Sequence, residues 1–348
     1  MTAALRAAFL EQAGHCEGLD SPFMGRLLRL LAARWPDDTK LAEKLANWSG
    51  DIGPMAASLP LRVCGGLHAL RLRGLDTGLE ATYPPATVSD DTLWQAVDTA
   101  LHTHDAFMCD WVTHAPQTNE VRRAAALIAG ASLIATRHAL PLRLSELGSS
   151  GGLNLMFDQF ALEIGDARYG PGTAPFTLAP RWQGPAPAPV TLPVAERRGV
   201  DLNPLDAHNP EDALRLMAYL WPDQAERLQR TRAAIALQDA PVDRADAIDW
   251  LDTRLPHVPG QLHLIYSTVA WQYFPDAAQK RGTALIETAG ATATDAHPLG
   301  WLSMETDNSD LPGARLTLRL WPGDETHDLG RIDFHGRWVD WQGPTRLT

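Results

Sequence analysis

At 348 residues, with 45% apolar and 21% charged side chains, the chain has the composition of an ordinary soluble globular protein, long enough for one large or two ordinary domains. The 30 basic and 42 acidic residues leave a net charge of −12 and no clustered Lys or Arg, which argues against nucleic acid as a partner, because neutralising phosphates needs such clusters. Cys16, Cys64 and Cys109 stand far apart with no C-x-x-C between them, so neither a disulfide framework nor a zinc–cysteine site is indicated.

The start, MTAALRAAFLEQAGHCEG, reads as an amphipathic helix with Glu11 inside it, not as a signal peptide. Leu27, Leu28, Leu30, Leu31 and Trp35 form the apolar face of a second helix that Pro36 stops. Val63, Leu67, Leu70 and Leu72 mark another over residues 60–72, with Gly74 as its stop. Ser89-Asp90-Asp91 caps a helix carrying Leu93, Val97, Ala100 and Leu101 on one side. A last, mostly buried helix spans 121–137. Its apolar core, 124–135, is too short to cross a bilayer. A cytoplasmic protein without a membrane partner is expected, with an α-helical domain over 1–137.

Within this half, PQTNEVRR is a dense polar run before the apolar helix, and Gln117, Asn119 and Glu120 are its best candidates for reaching a ligand. His102, His104 and His114 crowd one region, but positions i and i+2 do not share a helix face and no further ligand completes a set. No metal is expected.

From residue 138 strands and helices alternate, the pattern of a mostly parallel sheet in an α/β domain over 138–348. It begins with PLRLSELGSSGGLNLMFDQF. An apolar strand ends in an acid, Glu146, then a Gly/Ser turn. After it Leu153, Met156, Phe157 and Phe160 take up helical spacing. Small residues at such a turn let the chain reverse tightly and let a ligand approach the backbone. The dinucleotide fingerprint G-x-G-x-x-G fails, since the third and sixth positions from Gly148 are Ser150 and Leu153, and no Gly-Lys-Ser/Thr makes a P-loop.

Residues 165–193 are a Pro/Gly-rich insertion, too interrupted for a helix or central strand; Tyr169, Phe176 and Trp182 imply that it packs on something. The expected order then runs strand 198–202, helix 211–237, strand 241–247, strand 261–268, helix 275–289 and strand 298–305. Residues 314–321 and 330–341 alternate with period two and read as a terminal antiparallel hairpin across PGDETHDL. Asp201 ends the second strand and Asp246-Ala247 the third. Each has a structural alternative: an Asx turn before Pro204 for Asp201, and a helix N-cap for Asp246. Ser267 ends the central strand, and Trp271, Gln272 and Tyr273 follow it, able to wall a pocket or simply to pack the next helix.

Read as E-x-G-x-(G)-x-G, residues Glu146, Gly148, Ser150 and Gly152 resemble the first motif of class I S-adenosylmethionine methyltransferases, with Ser in place of the middle Gly. Taken together, QTNEVRR, ELGSSGGLNL, RRGVDLNPLD and TVAWQYFP resemble a bacterial domain-of-unknown-function family, number 2332, along nearly the whole chain. These resemblances imply a helical N-terminal domain followed by a Rossmann-like class I methyltransferase sheet ending in an antiparallel hairpin. They imply S-adenosylmethionine as cofactor, held by Glu146, Gly148, Ser150, Gly152, Asp201 (ribose hydroxyls), Asp246 and Ala247 (adenine) and Ser267. No Asn/Asp-Pro-Pro-Tyr is present, so the expected acceptor is a small molecule, neutral or cationic given the chain's acidity, and not a DNA base. The alternative is a non-catalytic binding or scaffold protein that keeps the fold but not the cofactor.

Overall fold

The structure is a computed structural model that describes residues 1–54 and 56–346. In chain order it begins with helices α1 (Ala3–Gly18), α2 (Pro22–Arg34), α3 (Lys40–Ala46), α4 (Leu59–Leu72), α5 (Thr77–Thr82), α6 (Asp90–Thr103), α7 (Asp105–Trp111) and α8 (Ala124–Arg137). Strand β1 (Leu142–Leu147), a 3₁₀ helix (Leu153–Gln159), β2 (Ala161–Ile164), β3 (Ala167–Tyr169), β4 (Thr177–Leu178), β5 (Arg181–Gln183) and β6 (Val194–Asp201) follow. Then come α9 (Pro210–Ala218), α10 (Ala225–Leu237), β7 (Val242–Arg244), α11 (Ala247–Arg254), β8 (Leu262–Thr268), α12 (Asp276–Gly290), β9 (Leu299–Glu305), β10 (Ala314–Trp321), β11 (Glu325–Ile332) and β12 (Trp338–Arg346).

The chain forms two compact units, Met1–Thr118 with Asn209–Arg232, and Asn119–His208 with Ala233–Thr348. In the helical unit, the faces read from periodicity are its core: Leu27, Leu28, Leu31, Val63, Leu67, Leu70, Leu93, Val97 and Leu101 are all fully buried. Ser89 caps α6 by accepting from the Thr92 N–H. The single helix expected over 211–237 is broken into α9 and α10, because Pro222 has no N–H to give and disfavours helical geometry at Trp221. The break is used. Asp223 accepts from the Ser21 hydroxyl and the Phe23 N–H, supplying the start of α2 with the cap that Ser21 does not.

In the second unit, nine strands make one sheet in the order β5-β12-β11-β10-β9-β8-β1-β6-β7. The five strands β9, β8, β1, β6 and β7 run parallel to one another, and β10 joins β9 antiparallel. From β1 the chain adds β6 and β7 on one side, then crosses back to add β8 and β9 on the other, so the order reverses between β1 and β8. At such a reversal the loops diverge from the carboxyl ends and leave room for a ligand. Leu142, Leu144, Leu262, Leu264 and Tyr266 face α8, while Leu147, Val200, Ile265 and Leu299 face α11 and α12. Helix α8 therefore packs with the sheet: its Ala124–Ile134 stretch is buried in the sheet's core, although the sequence reading ended the helical half at 137.

Two more expectations are corrected. The helix after the Gly turn is a 3₁₀ helix kinked at Met156; Leu153, Leu155, Met156 and Phe157 are all buried, so the apolar spacing marks enclosure on every side and not one face. The terminal hairpin is a three-stranded meander: Pro322–Asp324 suffices as a turn between β10 and β11, and β12 follows antiparallel on β11. The Pro/Gly-rich insertion is built into structure at both ends, as a three-stranded sheet of order β3-β2-β4 and as β5 on the outer edge of β12. Its aromatics do pack: Phe176 lies against Phe160 with centroids 4.6 Å apart, and Trp182 against Trp341 at 5.5 Å.

Candidate functional site

The carboxyl ends of β1, β6, β8 and β9 converge on the Gly148–Gly152 turn. This turn is left-handed at three places, Gly148 (φ 70°), Ser150 (φ 54°) and Gly152 (φ 70°). Glycine suits the first and last because each Cβ would clash. At Gly148 it would lie 2.4 Å from the Ala270 Cβ, and at Gly152 it would lie 2.4 Å from Gln238 Nε2 and 2.7 Å from Val242. Both Gly148 and Ser149 donate their N–H groups to the Val200 carbonyl, which pins the turn over the end of β6.

Glu146 sits beneath the turn, 1% exposed, with Gly199 and Tyr266 as its sheet neighbours. Its Oε2 is buried without a hydrogen-bond partner. Burial, reinforced by Asp201 nearby, pushes this carboxyl well above the usual range, and Arg123 opposes the shift. Asp201 accepts from the Ser150 N–H at 2.9 Å with one oxygen and from the Asn203 N–H at 2.9 Å with the other. The second contact is the Asx turn weighed for this residue.

The polar run before α8 reaches this place. Asn119 Oδ1 accepts from the Leu153 N–H at 2.8 Å, the first donor after the turn, and the Glu120 carbonyl accepts from the Asn154 amide at 3.2 Å. Glu120 also caps the 3₁₀ turn Val121–Arg123 through the Arg122 N–H. Gln117 belongs to the helical unit. Among the remaining candidates, Asp246 is the N-cap of α11, accepting from Ile248 and Asp249, and Ala247 is buried in that helix's core. Ser267 is fully buried at the end of β8. Trp271 packs against Phe274 and Trp301, the Gln272 side-chain oxygen accepts from the Thr306 N–H, and Tyr273 is 66% exposed.

Sequence reasoning missed Glu305, Arg123 and Asn154. Glu305 ends β9, 7% exposed, and its carboxylate accepts from the N–H groups of Ala270, Trp271 and Gln272 at 3.1–3.3 Å. Burial raises its pKa although those three bonds pull it down. The loop it holds begins at Val269, left-handed at φ 57°, a conformation a β-branched side chain resists. A signal for Glu305 was present: WLSME ends an apolar strand on an acid, as LSE does at Glu146. Arg123 donates to the Thr268 and Phe334 carbonyls at 2.9 Å, tying α8 to the end of β8.

Among the described residues, no group of three or more His, Cys, Asp or Glu side chains is arranged to hold a metal ion, and no helix is long and apolar enough to cross a membrane.

The architecture defines a mixed α/β protein with a helical N-terminal region, whose acidic, glycine-built turn lies where the order of a mostly parallel sheet reverses. The chain belongs to the family described as an uncharacterized protein conserved in bacteria (DUF2332), whose model matches residues 6–341. No curated protein and no solved structure matches it.

Proposed function

We propose that the Gly148–Gly152 turn binds S-adenosylmethionine in a methyltransferase-like, Rossmann-type domain acting on a small neutral or cationic acceptor. The observation that carries this reading is Glu146: a carboxylate 1% exposed, one oxygen without a partner, at the reversal of strand order. Burying such a group uncompensated is costly, and a cationic ligand would offset that cost. The cofactor fits on charge, since it carries an ammonium and a sulfonium. Asp201, half-exposed beside the turn, keeps lone-pair capacity for ribose hydroxyls beyond its two backbone bonds. When bound, the cofactor supplies an electrophilic methyl group. The protein's part is to hold the acceptor in line and exclude water, needing no strong base.

A second reading has specific support. Ala270 lies against Gly148, and Gln238 and Val242 against Gly152; Asp246 is occupied as a helix cap. These contacts favour a scaffold that keeps the fold without the cofactor. Isothermal titration with S-adenosylmethionine and S-adenosylhomocysteine separates the two. The methyltransferase-like reading expects heat and a raised Tm with both; no heat and no thermal shift at about 1 mM ligand, a binding free energy weaker than roughly −4 kcal/mol, favours the scaffold.

A further inference from the structure

A cavity of about 430 Å³ opens beyond the far end of the 3₁₀ helix Leu153–Gln159. Its most buried lining residues are Ile128, Phe157, Phe160 and Tyr169, none more than 1% exposed, and its outer lining includes segment 189–192 of the Pro/Gly-rich insertion. The volume falls in the range of small-molecule sites, and the mixture of apolar walls with a single buried charged side chain is what such sites use for orientation. That charge is Asp158, whose side chain is 4% exposed. Its carboxylate accepts from Arg197 Nη2 at 2.8 and 2.9 Å and from the Gln159 amide at 2.6 Å. A carboxylate has about four lone-pair sites, so these donors leave it room for another. The other charged lining residue, Arg168, is exposed and already paired with Glu163. The cavity thus offers an acceptor, and no free cation among its described lining residues, beside aromatic surface.

We infer that this cavity is a second ligand site, separate from the Gly148–Gly152 turn, for a small primary amine with a flat apolar body. The ammonium sits on Asp158 and the apolar body against Phe157, Phe160 and Tyr169. This assignment does not depend on the cofactor reading, since no residue of the turn lines the cavity.

The test compares three molecules of one shape, phenethylamine, 2-phenylethanol and 3-phenylpropanoate, by ligand-observed NMR and titration on the full chain. The expected result is saturable phenethylamine binding, at least about tenfold tighter than either comparator, as one charge-assisted bond predicts. Thr191→Trp, a change at an exposed lining residue, fills the cavity and abolishes that binding while Tm is unchanged. Asp158→Asn, which keeps the shape, removes the preference for the amine. No saturable binding at about 10 mM, equal affinity for the alcohol or the acid, or undiminished binding in Thr191→Trp each overturns the proposal.

Discussion

At the scale of single residues, the site is a contest over where buried carboxylates find partners. Glu146 is the clearest case, because its folded pKa lies above its unfolded one. The neutral form is favoured in the fold, so its contribution is fully present below the ordinary carboxylate pKa and is lost as pH rises through the folded value. Glu146→Gln, which cannot ionise, should therefore gain stability relative to the native chain between pH 5 and 8, by roughly 2–4 °C in Tm at the upper end. A difference that stays flat with pH would show that Glu146 is ionised throughout. Gly148 and Gly152 were legible in the sequence because backbone geometry restricts what can stand there, and Glu146 and Asp201 because an acid at a strand end stands out. Glu305 was harder to see, since its partners lie over 30 residues away and only the pairing of β8 with β9 brings them together.

The element scale shows which patterns can be trusted. Helices α1 and α6 were legible because one face alone is buried, so the period survives in the sequence. The 3₁₀ helix Leu153–Gln159 was misread because it is enclosed on all sides. Strands β4 and β5, two and three residues long, carry too few alternations to register. The loop after β8 is the element on which the two functional readings turn, and Glu305 is its anchor. Glu305→Ala leaves the N–H groups of Ala270, Trp271 and Gln272 without their acceptor, costing about 1–3 kcal/mol in urea unfolding. Hydrogen exchange should rise selectively over 269–274. Unaltered exchange there would mean that the loop is held by Gly148 and the following helix instead.

For the whole molecule, the chain's path matters more than its composition. The helical unit takes residues from two separated stretches, and the second stretch is not decoration. Trp221 is buried in its core, the Ala218 carbonyl meets the buried His68 ring at 3.1 Å, and Asp223 caps α2. Residues 1–118 alone should lack a cooperative thermal transition and fixed near-ultraviolet dichroism. Joining 209–232 to them through a short Gly/Ser linker should restore both. Cooperative folding of 1–118 by itself would show that the later stretch is an accessory. A division at a single point was the natural reading of a helical run followed by alternation. Nothing in local pattern reveals that α9 returns, because the residues that bury it come from the other end of the unit.

The outermost pair of the large sheet sets an order in time. Strand β5 lies against β12, with Arg181 opposite Trp338, so this segment's strand partner is made only after β6 to β11. Until then β5 has no sheet edge to join, and β11 shows an open edge to its surroundings. A chain cut before residue 338 would therefore leave β5 without a strand to pair with and uncover the edge of β11 that β12 covers in the intact sheet.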